Sequence, residues 1–278
     1  MKIGVFDSGY GGLTILQGIR DLLPEYDYVY LGDNARAPYG TRSFDVVYGY
    51  TLEAVKWLQS RGCDLIILAC NTASAKALRS IQQNDLPRLG AEKRVLGVVR
   101  PTVEAVGAFT KSRCVGVLAT EGTVASKSYT IEIGKLSPDI KVYEQACPMW
   151  VPLIENGEAD SEGAEYFINK YVSQLIEQCA EIDTIVLGCT HYPIIKKSIE
   201  RLLPDGVKVI AQGQIVAESL KDYLHRHNEI DVKCSRGGSV EYFTTESVEK
   251  FLALSRQFAS DMDDISVRRV EFQGDGLK

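Results

Sequence analysis

Two stretches of this sequence decide the fold: residues 64–72 read DLIILACNT, and residues 183–191 read DTIVLGCTH. They align without a gap, and each is a short hydrophobic run, typical of a buried parallel strand, that ends in a cysteine followed by polar residues. The two cysteines, Cys70 and Cys189, are 119 positions apart (189 − 70), which is about the length of one domain. The repeat therefore predicts two related lobes that each present a cysteine at a strand end. A duplicated structural strand is the alternative, because short Val/Ile/Leu runs recur by chance.

The rest of the chain also alternates short apolar runs with segments of helical periodicity. Strands rich in Val and Ile are predicted over residues 3–6, 28–31, 65–68, 95–98, 115–118, 140–143, 184–187, 207–210 and 240–243. Apolar residues at i, i+3 and i+4 spacing predict helices over residues 13–23, 44–60, 73–82, 166–179 and 194–202. This order predicts an α/β fold of two pseudo-symmetric lobes with mainly parallel sheets.

No linker rich in Pro, Gly or Ser marks the boundaries between the lobes. Residues 97–101 and 205–206 are the most reasonable crossing points. They place residues 1–98 and 207–278 in the first lobe and residues 99–206 in the second, which is thus inserted within the first. Because ligands of open parallel sheets bind beyond the carboxyl ends of the strands, we expect the active site in the cleft between the lobes.

The composition argues against several classes of function. The 278 residues carry 31 Lys and Arg against 37 Asp and Glu, and this net charge of −6 is not the basic footprint of a nucleic-acid-binding protein. No apolar stretch approaches the ~18 residues of a spanning helix, and the run at residues 3–6 is too short for a signal peptide, so neither a membrane partner nor secretion is expected. The seven cysteines form no C-x-x-C pair, so we expect reduced thiols, no metal site and a cytoplasmic location.

A glycine-rich turn follows the first predicted strand. Residues 6–12 read FDSGYGG, where glycines let the backbone approach a ligand and free N–H groups at a helix start favour an anion. Such turns are frequently only structural, but Asp7 is more telling, because a carboxyl group at a strand end has few packing reasons to be there. A second polar turn, residues 32–40 (GDNARAPYG), could shape a pocket wall.

The two strand-end cysteines are the strongest candidates for chemistry. A lone cysteine is usually a buried structural residue, but a helix N-terminus favours the thiolate, and the repeated context favours catalysis. Side chains directly after them, such as Asn71 and Thr190, can donate hydrogen bonds to an anionic ligand. His191 is either a helix cap or a proton partner for Cys189, and we favour the proton partner.

Other residues of these types lack such a context. Glu155 follows an apolar run, which taken alone describes a helix surface residue more often than an acid. His225 and His227 lie at a polar helix end, and we interpret them as solvated. The remaining cysteines are interpreted as structural: Cys63, Cys114, Cys147, Cys179 and Cys234.

Four motifs together closely resemble those of the glutamate racemases, in the aspartate/glutamate racemase superfamily. They are residues 6–14 (FDSGYGGLT), 30–40 (YLGDNARAPYG), 69–74 (ACNTAS) and 188–193 (GCTHYP), in the order and spacing of that family. Residues 120–123 (TEGT) resemble a further pocket segment, so the resemblance spans nearly the whole chain.

The resemblance implies racemisation of L- and D-glutamate without pyridoxal phosphate, metal or any other cofactor, which would supply D-glutamate for peptidoglycan. It makes Cys70 and Cys189 the two acid/base groups, with Asp7 on the Cys70 side and Glu155 with His191 on the Cys189 side. The Cys70 side would deprotonate D-glutamate and the Cys189 side L-glutamate. The chemistry agrees, because a reaction between mirror images needs a base on one face of the α-carbon and an acid on the other.

The resemblance also implies which groups hold the substrate. They are Asp7, Ser8, Tyr39, Gly40, Asn71, Thr72, Thr120, Thr123, Thr190 and His191, with Tyr39 and Gly40 contributing backbone N–H groups. It further implies a homodimer. Because Asp7 lies near the start of the sequence, we do not expect the N-terminal extension of relatives that a peptidoglycan precursor activates.

Two segments depart from the family pattern. Arg100 stands where many relatives carry an acidic residue before Pro101 and Thr102. Residues 211–214 (AQGQ) replace a segment that often contains Asp. We expect these departures to alter packing or dimer contacts rather than the chemistry.

Three alternatives remain open at this point. One is racemisation of aspartate or another amino acid by the same mechanism. Another is a non-catalytic amino-acid-binding protein, since two α/β lobes around a cleft also describe such modules, and it predicts binding without α-proton exchange. The third is a single-cysteine hydrolase or thiol redox enzyme, which needs only one essential cysteine.

Overall fold

The protein is described by a computed structural model that covers residues 1–90, 92–259, 262, 265–273 and 276–277. Its strands are β1 (Ile3–Asp7), β2 (Tyr28–Gly32), β3 (Leu65–Leu68), β4 (Arg94–Gly97), β5 (Cys114–Ala119), β6 (Lys141–Ala146), β7 (Thr184–Gly188), β8 (Lys208–Ile210), β9 (Val240–Thr244), β10 (Val267–Arg269), β11 (Phe272–Gln273) and β12 (Gly276–Leu277). Its helices are α1 (Gly12–Leu22), α2 (Phe44–Ser60), α3 (Asn71–Lys76), α4 (Leu78–Ser80), α5 (Leu86–Leu89), α6 (Val99–Val106), α7 (Glu121–Ser126), α8 (Ser128–Leu136), α9 (Trp150–Glu155), α10 (Glu162–Gln178), α11 (Lys196–Glu200), α12 (Gly213–Arg226), α13 (Asn228–Asp231) and α14 (Val248–Ser255).

Two parallel sheets organise these elements. The larger has the order β10-β9-β2-β1-β3-β4, the smaller has the order β6-β5-β7-β8, and every pairing within them is parallel. A short antiparallel pair, β11 with β12, stands apart. The predicted α/β class with mainly parallel sheets is thereby confirmed.

The same strand order occurs once in each sheet. In the larger sheet it is β2-β1-β3-β4, and in the smaller it is β6-β5-β7-β8. The strands that lead to the two cysteines, β3 and β7, therefore occupy equivalent positions. In each sheet the chain passes from one neighbour of a central strand to the other, and such a switch point opens a crevice at the carboxyl ends of the strands.

Two sequence-based boundaries are wrong in detail. Strand β8 pairs with β7, so residue 207 does not begin the return to the first sheet, because an apolar strand there satisfies the open edge of the second. The return begins with α12, which packs on α1. The predicted helix over residues 73–82 is divided into α3, α4 and a π-helical turn at Ile81–Asp85, with Ala77 as the break after α3.

The close packing of α1 on α12 depends on two glycines. A Cβ atom on Gly18 would lie 2.6 Å from the carbonyl carbon of Gly213, a distance that no side chain tolerates. This contact fixes the beginning of α12 against α1. Within the described part of the chain, no helix has the length and apolar character needed to cross a membrane.

Candidate active site

Cys70 lies at the junction of β3 and α3. Cys70 is the N-cap of α3. Its Sγ accepts a hydrogen bond from the backbone N–H of Ala73 at 3.4 Å and lies 3.2 Å from the Ser8 hydroxyl. Burial, with a smaller effect from the negative charge of Asp7, raises the pKa of the Cys70 thiol to about 12. Without a ligand, Cys70 is therefore a protonated thiol at neutral pH.

Asp7 ends β1 and is completely buried. Its Oδ2 accepts the backbone N–H of Gly9 at 2.9 Å, while its Oδ1 has no hydrogen-bond partner among the described residues. Burial raises the pKa of this carboxyl group, and the positive charge of His191 opposes the shift. A Cβ on Gly12 would lie 2.3 Å from that of Asp7, so the glycine-rich turn makes room for the carboxyl group.

Cys189 follows β7 and has an ionisable partner. Its Sγ lies 3.9 Å from Nδ1 of His191, and Nε2 of His191 lies 2.8 Å from Oε1 of Glu155, the last residue of α9. Burial lowers the pKa of His191, but the hydrogen bonds to Cys189 and Glu155 outweigh it and raise the pKa to about 10. The ring is therefore an imidazolium at neutral pH, and a cation in this position stabilises negative charge on the neighbouring sulfur. The ring of Phe258 packs edge-on against it, with centroids 5.1 Å apart.

Both thiols line one cavity of about 80 Å³. A cavity of this volume suits a ligand of the size of a small metabolite. Nine further predicted site residues line the same cavity: Ser8, Tyr39, Gly40, Asn71, Thr72, Thr120, Glu155, Thr190 and His191.

Three threonine hydroxyls join the two lobes beside the cavity. The Thr72 hydroxyl lies 2.9 Å from that of Thr120 and 3.3 Å from that of Thr123, and the last two are 3.1 Å apart. Close by, the backbone N–H of Gly122 donates to the carbonyl of Gly40 at 2.7 Å. Groups from the first and second lobes thus form one continuous polar wall.

The turn that carries Tyr39 and Gly40 is held by a buried acid. The carboxylate of Asp33 accepts hydrogen bonds from the Tyr39 hydroxyl, from Nε of Arg36 at 2.6 Å and from the Thr245 hydroxyl at 2.9 Å. Asp33 has no exposed surface, so the turn is anchored in the interior. This explains why the polar sequence of residues 32–40 forms a fixed pocket wall.

Two predicted site residues lie behind the lining. Asp7 and Thr123 are both fully buried and are not among the cavity-lining residues. Thr123 contacts the lining through Thr72 and Thr120, and Asp7 acts on Cys70 through its charge. Sequence reasoning missed Pro148, Val151 and Pro152 in the apolar part of the wall, because these residue types carry no chemical signature. Cys147, interpreted from the sequence as structural, also lines the cavity.

One group of possible metal ligands lies elsewhere. Within the described residues, the ligand atoms of Cys114, Cys179 and Glu181 lie within 4.8 Å of one another. Cys114 is the first residue of β5, whereas the cavity residue Thr120 follows the last residue of that strand. This group therefore lies at the opposite end of β5 from the cavity. All seven cysteines are free thiols.

Comparisons with known proteins agree with this geometry. The family model described as Asp/Glu/Hydantoin racemase matches residues 13–220. A glutamate racemase from Geobacter metallireducens is 40% identical over 92% of this chain and 92% of its own length, and one from Aquifex aeolicus is 38% identical over 91% and 93%.

Solved structures are similar over almost the full length. A glutamate racemase isoform from Bacillus anthracis superposes with a TM-score of 0.87 at 32% identity, covering 97% of both chains. A glutamate racemase from Francisella tularensis, crystallised in complex with D-glutamate, gives a TM-score of 0.85 at 33% identity and the same coverage. With about three quarters of its length matched by the family model and relatives near 40% identity, the chain belongs to the Asp/Glu/hydantoin racemase family.

Proposed function

We propose that this chain interconverts L- and D-glutamate, with Cys70 and Cys189 as the two acid/base groups on opposite faces of the α-carbon. The observation that carries the proposal is one small cavity lined by two strand-end thiols whose electrostatic surroundings differ. Relatives named glutamate racemase, and the D-glutamate complex of the Francisella protein, support glutamate as the substrate.

The reaction needs only two proton transfers at carbon. A thiolate removes the α-proton and becomes a thiol, which leaves a carbanion on the substrate. The thiol on the opposite face then donates its proton to that carbon and becomes a thiolate, so the configuration is inverted and no atom is gained or lost. The reverse direction exchanges the two roles.

The ligand-free protein is prepared for one direction. Cys70 is protonated because burial disfavours its anion, whereas the cationic ring of His191 lies 3.9 Å from the sulfur of Cys189. With Cys70 as the acid, Cys189 beside the imidazolium takes the part of the base in this proposal, and that assignment suits L-glutamate. Turnover of D-glutamate requires the opposite state, and Asp7 is the group whose charge acts most directly on the Cys70 proton.

Hydrogen-bond donors along the wall stabilise the charge that develops on the substrate. The α-proton of an amino acid is weakly acidic, so the carbanion needs preorganised donors around its carboxylate. Hydroxyls of Ser8, Thr72, Thr120 and Thr190 line the cavity and can supply them. Closing the cavity excludes water and strengthens these bonds.

The decisive test is incubation of each glutamate enantiomer with the protein in deuterated water. We expect incorporation of α-deuterium together with loss of optical rotation, from either enantiomer. Parallel incubation with L-aspartate should give far less exchange. Binding of glutamate without exchange would instead support a non-catalytic binding protein. Faster exchange of aspartate than of glutamate would make aspartate the substrate.

The biological setting follows from the same proposal. A racemase of glutamate would supply D-glutamate for peptidoglycan synthesis. Seven free thiols, two of them needed in the reduced form, suit the reducing environment of the cytoplasm. Homodimerisation stays a prediction from the family resemblance, and the sedimentation velocity of the purified protein tests it.

A further inference from the structure

We infer that Gln212 is a positioning residue, which fixes the amide of Asn71 for the substrate carboxylate and ties both crossings between the lobes together. The inference rests on the proposed function for its substrate. Gln212 lies outside the cavity lining and is only 2% exposed. It belongs to the segment 211–214, which departs from the family pattern.

The side chain of Gln212 uses its whole carboxamide in hydrogen bonds. Its Oε1 accepts from Nδ2 of Asn71 at 2.6 Å. Its Nε2 donates to the hydroxyls of Thr102 at 2.7 Å and of Tyr129 at 2.9 Å, with a longer contact of 3.4 Å to the carbonyl of Val98. A buried amide with this many partners is held in one orientation, because any rotation leaves buried polar atoms unpaired.

The direction of every bond in this network is determined. The Thr102 hydroxyl donates to the carbonyl of Val98 at 2.8 Å, so it must accept from Gln212. The Tyr129 hydroxyl donates to Oδ1 of Asn71 at 2.7 Å, so it too accepts from Gln212. Gln212, Tyr129 and Asn71 therefore form a closed ring in which each side chain donates to the next.

The ring leaves Asn71 with one unused donor. Its Oδ1 is occupied by Tyr129, and one hydrogen of Nδ2 is directed to Gln212. Asn71 lines the cavity beside Cys70, so the second hydrogen of Nδ2 is the one available to a substrate carboxylate. Without Gln212 only the Tyr129 hydroxyl holds the amide, and because a hydroxyl can also accept from Nδ2, the amide can rotate and present its oxygen, which repels a carboxylate.

The four partners come from different parts of the fold. Asn71 begins α3 in the first lobe, and Tyr129 lies in α8 of the second. Thr102 lies in α6, on the first crossing, and Gln212 is the N-cap of α12, on the second. The two segments that depart from the family pattern, residues 100–102 and 211–214, thus meet through the bond between Thr102 and Gln212. Through Gln212, both segments are also connected to Asn71, the residue next to Cys70. Their effect is therefore not limited to packing.

The test compares Gln212→Leu with the matched control Gln214→Leu. Gln214 lies two residues further along α12, is exposed and bonds only Glu218 among the described residues. Binding of D-glutamate is measured by calorimetry, and racemisation in both directions gives KM and kcat. For Gln212→Leu we expect the Kd and both KM values to rise about tenfold or more, with a smaller fall in kcat, because one hydrogen bond to a charged group is lost. The control should stay within twofold of the wild type.

Two further variants separate positioning from folding. Tyr129→Phe removes only a hydroxyl from the ring, so it should fold and raise KM in the same direction by a smaller factor. Combining it with Gln212→Leu should add little, because both act through Asn71. Gln212→Glu should bind better as the pH falls, since the protonated carboxyl group regains one of the two donors.

A lowered melting temperature of Gln212→Leu with Kd and KM within twofold of the wild type would overturn the inference in favour of a purely structural role. If Gln212→Leu does not fold, unchanged KM values in Tyr129→Phe have the same consequence. Failure of the proposed function is distinguishable, because then the wild type itself would neither bind nor exchange D-glutamate.

Discussion

The surroundings of Cys70 and Cys189 differ in charge although the two residues occupy equivalent places in the fold. Both follow the corresponding strand of the same four-strand order, and both line the same cavity. Cys70 has a hydroxyl and a buried carboxyl group near it, whereas Cys189 has an imidazolium held by Glu155. Topology supplies two equivalent thiol positions, and local chemistry gives them different electrostatic surroundings.

The difference can be traced to one aligned position. In the repeat that defines the lobes, His191 stands where Thr72 stands, two residues after the cysteine. Thr72 contributes a hydroxyl to the polar wall, whereas His191 contributes a charge next to the sulfur. The proposed two-thiol mechanism needs one thiol and one thiolate, and different surroundings for the two sulfurs serve that need.

Removing either thiol tests the comparison with the largest expected effect. Cys70→Ala and Cys189→Ala should each lower racemisation by about 10⁴-fold, because each deletes one of the two proton-transfer groups. Glutamate should still protect both variants against thermal unfolding. Cys179→Ala is the control and should remain active, because Cys179 lies beside Cys114 at the end of β5 far from the cavity. Full racemisation by either site variant would refute the two-base assignment.

The charge on the Cys189 side can be changed without touching a thiol. Because hydrogen bonds to Cys189 and Glu155 raise the pKa of His191 to about 10, activity with L-glutamate should fall as the pH rises through that value. Glu155→Gln removes one of these causes, so the fall should move to lower pH, with a loss of roughly tenfold or more at pH 9. Glu158→Gln, an exposed residue three positions later, should keep the wild-type profile. An unchanged profile in Glu155→Gln would contradict the role of that residue.

The pH dependence of the melting temperature should also reveal the His191 imidazolium, with a smaller effect than on activity. His191 has a folded pKa of about 10 against an unfolded value near 6.5, so its contribution to stability is complete below pH 6.5 and disappears as the pH rises to 10. The melting temperature of the wild type should therefore fall across this window relative to that of His191→Gln. In His225→Gln, which changes an exposed histidine, the wild-type dependence should persist. Parallel pH curves for wild type and His191→Gln would contradict an imidazolium at this position.

Much of the site could be predicted from the sequence because its chemistry is local to strand ends. Two segments of three residues each, 70–72 and 189–191, supply six of the predicted site residues, and both segments line the cavity. The alternation of apolar runs likewise predicts parallel sheets, since only strands buried on both faces read in this way. Local order in the sequence becomes local order in space at these positions.

The remainder depends on contacts between distant residues. Gln212 bonds Asn71 across 141 positions, and nothing in the sequence around either residue indicates the pairing. Strand β8 was assigned to the wrong lobe because its apolar residues suit either sheet, and only the open edge beside β7 decides between them. Asp7 and Thr123 stay predicted substrate contacts, and the sequence does not indicate that both are fully buried behind the cavity lining.

The repeated strand order also implies that the two lobes serve this reaction only as a pair. In the proposed two-thiol mechanism, a single lobe presents one thiol to one face of an α-carbon, so it could remove a proton and return it only to the face from which it came. Such exchange leaves the configuration unchanged and yields no product for an organism to use. Inversion in that mechanism needs the thiol of the second lobe on the other face, so neither half of the chain is useful for this reaction without the other.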